Sequence, residues 1–420
     1  MRAVRRSFFL AGILAVAMGT TRSAFADQAS DARFDRLEQK VNAQEAELEK
    51  LRADAPSSAA PAASDTTIGG YGEIAVNAYR KNSNRNQADL KRFVFFLGHR
   101  FTDRWSFNSE VEWEHAVASA GDRGETEIEQ AYLSYQIAPG ASLKTGLFLM
   151  PFGFINEHHE PPVFSGVERN EVETRIIPST WREGGVSLEG TRFGVTGDAG
   201  VTTGFDVARF DDASHPLSSV HQELQLAKAR DLACYGAVNY NGVPGFNIGG
   251  ALFTGNGGQG NADFKADSSM PDFGESHARV TLWETHTRLQ KSGLDLEALY
   301  AQGTIGNTGK INQVIGDFNT ANGESRAFVP RQFNGCLLQA AYAVWTRGDM
   351  SLAPFVRYEA FNTQQKMAAG LPSDPANADR VTTFGFSFKP MSQIVFKADF
   401  QSYKDNGGND RTNVGLGYMF

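Results

Sequence analysis

Apolar and polar residues alternate with a period of two over most of the chain, from about Thr66 to Phe420. The last segment is the clearest, because Val414, Leu416, Tyr418 and Phe420 alternate with small or polar residues and the chain stops on the aromatic. Successive side chains of a strand point to opposite faces, so these segments predict strands with one apolar and one polar face.

Sixteen segments of this kind can be counted, and the connections between them alternate in length. Tight turns such as Pro139-Gly140 follow every second segment, although the connection near Phe193 to Gly200 is looser. Longer connections, such as 150–181 and 304–330, join the others. Short turns at one end and long loops at the other are typical of bacterial barrels. The pattern therefore predicts an all-β fold, a 16-stranded antiparallel transmembrane β-barrel over 66–420.

The N-terminus has the pattern of an export signal. Arg2, Arg5 and Arg6 precede an apolar run from Phe8 to Met18, and Ala24-Phe25-Ala26 offers a small-residue cleavage site. A signal peptide over 1–26 is therefore predicted. The alternative is an anchor that stays attached, but the run is shorter than the roughly 20 residues of a spanning helix.

A short helical pattern follows the signal. Apolar positions from Phe34 to Leu51 are spaced by alternating threes and fours, which predicts a coiled-coil helix over 27–52, placed in the periplasm. The alternative is a single amphipathic helix lying on the barrel. Residues 53–65, rich in Pro, Ala and Ser, are predicted to be a linker. The stretch before the barrel is too short for the plug domain of a gated transporter.

Composition narrows the choice of partners and cross-links. The formal net charge is −8, and removal of Arg2, Arg5, Arg6 and Arg22 with the signal would leave −12. This argues against nucleic acid as a partner, which needs a basic face. The chain has 2 cysteines, Cys234 and Cys336, both on predicted outward faces, so a disulfide framework is not expected.

Charged side chains on the polar faces of the strands are expected to line the lumen. Strand two leaves its register open, with either Lys91 and His99 or Arg92 and Arg100 facing inward. The other lumen candidates are Glu110, Glu112, Glu114, Lys144, Asp295, Glu297, Arg357, Glu359, Lys397 and Asp399. Because both signs occur, a preference for anions and a weak preference for cations both stay open.

The connection 150–185 is rich in charges and in large apolar residues. The apolar residues, Phe152 and Trp181 among them, need somewhere to pack, which favours a loop folded into the lumen over a solvated surface loop. Opposed charges in a water-filled constriction sort solutes by charge. The candidate constriction residues are Glu157, His158, His159, Glu160, Arg169, Glu171, Glu173, Arg175 and Arg182.

Glu157-His158-His159-Glu160 also has the residue types of a metal site. Adjacent loop residues rarely converge on one ion, and known signatures space their His ligands by three or more residues. Neither a metal site nor a cofactor is therefore expected from this segment.

This loop carries a family resemblance. Pro151-Phe152-Gly153, Glu160-Pro161-Pro162, Gly166–Asn170 and Ile176-Ile177-Pro178, followed by Trp181, resemble the phosphate-selective porin O and P family. The resemblance covers roughly 66–420 and is sharp in this loop and in the last strand. It implies a trimer of sixteen-stranded barrels that takes up small, mostly anionic solutes, and some related porins carry a periplasmic coiled coil.

Two details of the resemblance concern the lumen and the C-terminus. Phosphate-selective members of the family line their pores with lysine and arginine, whereas this chain adds inward glutamates, so a specificity for phosphate is not implied. The terminal strand, ending in Tyr418 and Phe420, is similar to the signal read by the bacterial barrel-assembly machinery.

Together these features predict a porin in contact with outer-membrane lipid, for passive diffusion of small hydrophilic solutes and without enzyme activity. A barrel hydrolase is one alternative, since triads can be assembled from distant strands, although no G-x-S-x-G motif occurs. A structural or adhesive barrel with a blocked lumen is another, which the long connections 255–276 and 304–330 would suit.

Overall fold

The computed structural model describes residues 65–119, 121–260 and 277–420. These residues form 17 strands in one sheet. The strands are β1 (Thr66–Tyr79), β2 (Gln87–Arg100), β3 (Trp105–Glu114), β4 (Thr126–Ala138), β5 (Ala141–Leu149), β6 (Arg182–Arg192), β7 (Val195–Thr202), β8 (Ala233–Val243), β9 (Phe246–Asn256), β10 (Arg279–Lys291), β11 (Leu294–Ile305), β12 (Gln332–Tyr342), β13 (Trp345–Arg347), β14 (Met350–Lys366), β15 (Ala378–Met391), β16 (Ile394–Tyr403) and β17 (Arg411–Met419).

The sheet closes on itself, because β1 pairs antiparallel with both β2 and β17. β12 and β13 both pair with β14 and are separated only by Ala343 and Val344, so they occupy a single strand position. The barrel therefore has sixteen strand positions. The predicted all-β, 16-stranded antiparallel barrel is confirmed.

The alternation predicted from the sequence is visible in the exposure of neighbouring side chains. In β17, Val414 is 54% exposed while Asn413 is fully buried, and in β15, Phe384 is 52% exposed while Thr383 is fully buried. The apolar face points outward and the polar face points into the barrel, as a membrane barrel requires.

The connections also alternate in length around the barrel. Turns of two residues join β4 to β5, β6 to β7, β8 to β9, β10 to β11 and β15 to β16, all at the end that holds the C-terminus. The expectation of a looser turn near 193–200 was wrong, because β7 begins at Val195 and the turn consists of Phe193 and Gly194. Both have positive φ, the conformation that matches the twist of a tight hairpin.

The described parts of the long connections contain two α-helices, α1 (Val172–Arg175) in 150–181 and α2 (Thr308–Asn322) in 306–331. The helix α2 was not predicted. It buries Ile311 and Ile315 and ends at Gly323, whose φ of 67° is the left-handed conformation common after a helix. Among the described residues, no helix has the length and apolarity needed to cross a bilayer.

Several expectations concern residues outside the described ranges. The predicted signal peptide 1–26, the coiled-coil helix 27–52, the linker up to residue 64 and most of the connection 255–276 fall there. Within the barrel, Cys234 and Cys336 are both free.

Candidate pore constriction

The connection 150–181 leaves the barrel wall after β5 and crosses the interior before it returns as β6. Its far side contacts strands on the opposite wall. The backbone N–H of Val167 donates to Asp399 Oδ2 on β16 at 2.6 Å, and that of Glu171 donates to Glu359 Oε1 on β14 at 2.6 Å. Asn77 Nδ2 on β1 donates to Glu168 Oε1 at 2.8 Å. The loop, named here the inward loop, therefore spans the lumen.

Aromatic packing holds the base of the inward loop. Trp181 is fully buried, with its ring 4.9 Å from that of Phe152, 5.2 Å from Phe205 and 4.9 Å from Phe253, measured between centroids. Phe253 is an inward residue of β9, and Phe205 belongs to the connection 203–232. Burial of large apolar side chains contributes roughly 1.5–3 kcal/mol each, so this cluster is a main anchor of the loop.

A buried asparagine ties the two ends of the loop together. Asn156 Nδ2 donates to the carbonyl oxygens of Met150 at 2.7 Å and Trp181 at 2.8 Å. The backbone N–H of Trp181 donates to Asn156 Oδ1 at 2.7 Å. Asn156 is 3% exposed, so all three bonds are shielded from water. Asn156 thus reinforces the paired ends of the connection 150–181, which the backbone N–H of Met150 also joins by donating to the carbonyl oxygen of Trp181 at 2.9 Å.

Ion pairs attach the middle of the loop to the wall. Lys91 Nζ on β2 lies 2.6 Å from Glu168 Oε2. Burial alone would raise the pKa of Glu168, but the charges of Lys91 and Arg411 and the hydrogen bond from Lys91 lower it to about 2. Glu168 is therefore a carboxylate at neutral pH and holds the loop to Lys91 of the wall.

The predicted constriction residues separate into three groups by exposure. Glu157 and His158 are exposed, and Glu160, Arg169 and Arg175 are half-buried. The remaining four, His159, Glu171, Glu173 and Arg182, are buried.

Most of the buried and half-buried charges are paired within the loop or with the wall. Arg175 Nε lies 2.5 Å from Glu171 Oε2, and the hydroxyl of Tyr403 also donates to Glu171. Arg182 Nη2 lies 2.5 Å from Glu127 and 3.0 Å from Glu223. Glu173 accepts the backbone N–H of Phe154 and Ile155 and the side-chain amide of Asn170. These contacts hold the loop in its shape.

The predicted lumen residues point inward, but the inward loop covers many of them. The covered ones are Arg92, Glu110, Glu112, Arg357, Glu359, Lys397 and Asp399, each at most 9% exposed. Their burial differs from the expectation that they line a water path. Glu114, Lys144, Asp295 and Glu297 are half-buried. Arg100 lies at the end of β2 next to the turn and is paired with Asp65 at 3.1 Å.

A bulge decides the register of strand two, which the sequence left open. The β1–β2 pairing shifts between Glu73 and Ile74, so that Arg92 lies opposite Glu73 while Leu90 lies opposite Ile74. The extra residue, Lys91, reaches Glu168 in the lumen, and Arg92 reaches Glu73 and Glu112 at 3.6 and 3.5 Å. Two successive bases therefore face inward, a result that neither register predicted.

Comparison with known proteins identifies the family of the chain. A family model described as phosphate-selective porin O and P matches residues 69–164. An uncharacterized protein of Aquifex aeolicus is 30% identical over 360 residues, which cover 84% of this chain and 80% of that protein. The chain belongs to the phosphate-selective porin O and P family.

Solved porins and channels share the fold of this porin at low sequence identity. OmpF of Salmonella typhi, in complex with daunomycin, matches with a TM-score of 0.56 and 12% identity over 84% of this chain and 97% of that one. The anion-selective porin of Comamonas acidovorans gives 0.52 and 12% over 84% and 99%. The outer membrane channel DcaP of Acinetobacter baumannii gives 0.51 and 11% over 86% and 99%. Together with the family match, this shared fold makes the chain a porin-like outer-membrane channel.

Two adjoining cavities lie between the inward loop and one side of the porin's wall. The smaller, about 260 Å³, is lined by charged groups that include Glu173, Glu297 and Arg357. The larger, about 710 Å³, extends to the short turns and is named here the vestibule. Its charged lining residues are Arg288, Lys291, Asp295 and Lys389. Both cavities share the lining residues Val163, Phe164, Ser165 and Arg288, so they lie side by side beneath the loop.

Sequence reasoning missed several residues of this site. Arg288 lies 2.6 Å from Asp295 and 3.1 Å from Glu297, and its inward direction follows from the alternation along β10, so a signal was present. Lys389 also follows the alternation of β15 and donates to the carbonyl of Pro162 at 2.6 Å. No local pattern in the sequence indicated the hydrogen bonds of Asn156, because its partners Met150 and Trp181 are six and twenty-five residues away.

Proposed function

We propose that this protein is a passive diffusion porin that favours small hydrophilic anions, such as phosphate-like or carboxylate solutes. The observation that carries the proposal is the charge of the vestibule, which contains three basic side chains and one acidic side chain. Arg288 is neutralised by Asp295, but Lys389 has no described carboxylate within 4.0 Å of its Nζ. An anion that enters from the short-turn end meets unpaired positive charge.

Burial of the acidic residues on β3 supports the same preference. Glu110 and Glu112 are each 3% exposed beneath the inward loop, and Arg92 lies 3.5 Å from Glu112. Glu112 is balanced by Arg92, and neither carboxylate is exposed to a solute path. Glu110 and Glu112 are inward glutamates that would favour cations. Their effect on a passing solute is therefore weakened in the folded barrel.

We further propose that three barrels associate and that the N-terminal segment lies in the periplasm after removal of its signal. The family resemblance supports the trimer, and a Vibrio cholerae outer membrane protein with a TM-score of 0.50 and 9% identity has been solved in a trimer form. The closing of β1 on β17 places the start of the barrel beside the short turns, which supports a periplasmic N-terminus.

The test is the zero-current potential of the folded protein in a planar bilayer across a KCl gradient. We expect an anion-selective sign for the natural sequence and a shift toward cations for Lys389→Glu. Lys310→Glu is the matched control, because it makes the same charge change on the exposed face of α2, outside the vestibule.

Each outcome decides a different part of the proposal. A cation-selective sign for the natural sequence would overturn the anion preference, but the proposal of a diffusion channel would stand. An equal shift in the two variants would show that the vestibule does not set the selectivity. If folded protein showed no conductance, the proposal that it is a diffusion porin would be overturned.

A further inference from the structure

A buried cluster of two carboxylates and one imidazole lies where the inward loop meets β3 and β4. His159 is 3% exposed, Glu110 is 3% exposed and Glu129 is fully buried. His159 Nε2 lies 3.6 Å from Glu110 Oε1 and 3.7 Å from Glu129 Oε2. His158, its neighbour in the sequence, is exposed and takes no part. The cluster therefore combines one residue of the loop with two of the wall.

Three polar atoms of this cluster have no hydrogen-bond partner. They are Nε2 of His159 and both carboxylate oxygens of Glu129. Leaving a buried polar atom unpaired costs roughly 1–3 kcal/mol, and more for a charged group. Groups this well buried normally have hydrogen-bond partners, and an ion held between them would satisfy all three atoms.

The distances fit a shared ion better than a direct hydrogen bond. Separations of 3.6 and 3.7 Å exceed the usual range of N–H···O bonds, which ends at about 3.2 Å. Ligands bound about 2.1 Å from a tetrahedral Zn²⁺ are about 3.4 Å from one another. One ligand atom from each of the three residues lies within 4.8 Å of the other two. Small side-chain shifts would bring all three to one ion.

The hydrogen bonds around the cluster already orient two of the ligands. His159 Nδ1 lies 3.0 Å from the carbonyl oxygen of Asn156, which can only accept, so Nδ1 carries the proton and Nε2 faces the carboxylates. Gln130 Nε2 donates to the second oxygen of Glu110, Oε2, at 2.7 Å. Metal-binding histidines and carboxylates are typically held by such outer hydrogen bonds.

A backbone irregularity brings Glu129 into the cluster. The β3–β4 pairing shifts between Glu110 and Val111, so that Gln130 lies opposite Glu110 and Ile128 lies opposite Val111. Glu129 is the unpaired extra residue of this bulge, and it points inward together with Gln130. A bulge that redirects a side chain is common beside functional sites.

Among the described residues, neither Glu110 nor Glu129 has an arginine or lysine nitrogen within 4.0 Å. Arg92 is engaged by Glu73 and Glu112 at 3.6 and 3.5 Å. Arg169, which acts on Glu129 electrostatically from beyond 4.0 Å, donates through Nη1 to Ser179 and Thr180. A protonated His159 would supply one positive charge against two negative ones, whereas a divalent cation beside a neutral imidazole balances both.

We propose that Glu110, Glu129 and His159 bind one divalent transition-metal ion of the Zn²⁺ type, which fastens the inward loop to the barrel wall. One imidazole nitrogen and two carboxylate oxygens suit Zn²⁺ or Mn²⁺, and a water molecule would complete the coordination. The ion joins a loop residue to two adjacent strands, so its role is to fix the position of the loop. This proposal does not depend on which solutes the channel prefers.

The test uses the full, untagged chain folded in detergent, stripped with EDTA and titrated with ZnCl₂ by calorimetry, with bound zinc counted by mass spectrometry. We expect one zinc per chain. Glu129→Gln and His159→Gln, which keep approximate size and polarity, should weaken binding by about tenfold or more. His158→Gln is the matched control, because it removes an exposed histidine one residue away, and it should bind as the natural sequence does.

A second readout follows the loop itself. Zinc should slow trypsin cleavage at Arg169 and Arg175 in the natural sequence and in His158→Gln, but not in Glu129→Gln or His159→Gln. Folded natural protein that binds no zinc, or the two ligand variants binding as tightly as the control, would overturn the proposal and leave His159 as a partner of the two glutamates only. If the variants do not fold, the zinc count and the protection of the natural sequence still decide.

Discussion

Replacing Asn156 with alanine should release the inward loop without unfolding the barrel. The side chain makes three buried hydrogen bonds, at 2.7, 2.8 and 2.7 Å, to the backbone of Met150 and Trp181. Each buried bond contributes about 1 kcal/mol, so the substitution should cost the closed loop about 3 kcal/mol. The strand ladders are not touched, because both partners lie at the edge of β5 and β6.

Limited proteolysis can measure this change. Opening the loop exposes Arg169 and Arg175, and cleavage follows the open population when opening and closing are fast. Since 1.4 kcal/mol corresponds to a factor of ten, the cleavage rate of Asn156→Ala should rise about 100-fold. Trypsin fragments that begin or end within 150–181 should be quantified by mass spectrometry on protein that retains its strand signal in circular dichroism.

Val163→Ala is the matched control, because Val163 belongs to the same loop and is 40% exposed. It should be cleaved as slowly as the natural sequence. Folded Asn156→Ala that is cleaved at the natural rate would refute the reasoning. It would show that the other contacts of the loop, such as the aromatic cluster around Trp181 and the pairing of Glu168 with Lys91, keep the loop closed without the asparagine.

Two further predictions concern the pH dependence of the loop and the assembly of the barrel. Because the pKa of Glu168 is lowered to about 2 in the fold, its pairing with Lys91 should be fully present above about pH 4.3 and lost as the pH falls toward 2. The difference in thermal midpoint between the natural sequence and Glu168→Gln should therefore shrink over this interval, and a difference that stays constant would contradict the assignment. Phe420 exchanges two backbone hydrogen bonds with Gly70, and its ring lies 6.3 Å from that of Phe93. Phe420→Ala should keep the backbone bonds but lower the yield of folded barrel in cell envelopes, and an unchanged yield would remove the terminal aromatic from the assembly signal.

The strands and their connections could be predicted from the sequence because the information is local. A strand with one apolar face must place apolar residues at every second position, as around Val414 in β17 and Phe384 in β15. This pattern can be read without knowing which strand pairs with which. Turn residues such as Pro139-Gly140 likewise act over two or three positions. The inward loop was predicted from its composition, since Trp181 and Phe152 cannot remain in water.

The chemistry of the candidate site depended on the tertiary structure. The bulges at Glu73 and at Glu110 arise between paired strands, and each one reverses the face of the residues that follow. Simple alternation therefore could not place both Lys91 and Arg92, or both Glu129 and Gln130, inside the barrel. The sequence also could not show which glutamates of the wall the inward loop would bury, because the loop and these strands are far apart in the chain.

The sequence by itself therefore determined the kind of protein, a closed barrel with a charged and partly apolar inward loop. It did so because a repeat of two and the composition of a loop can be read along the chain. The tertiary structure decided which charges meet, such as His159 with Glu110 and Glu129, because these contacts join positions far apart in sequence. Their formation depends on strand register, on bulges and on the space left inside the barrel, and no local pattern encodes these.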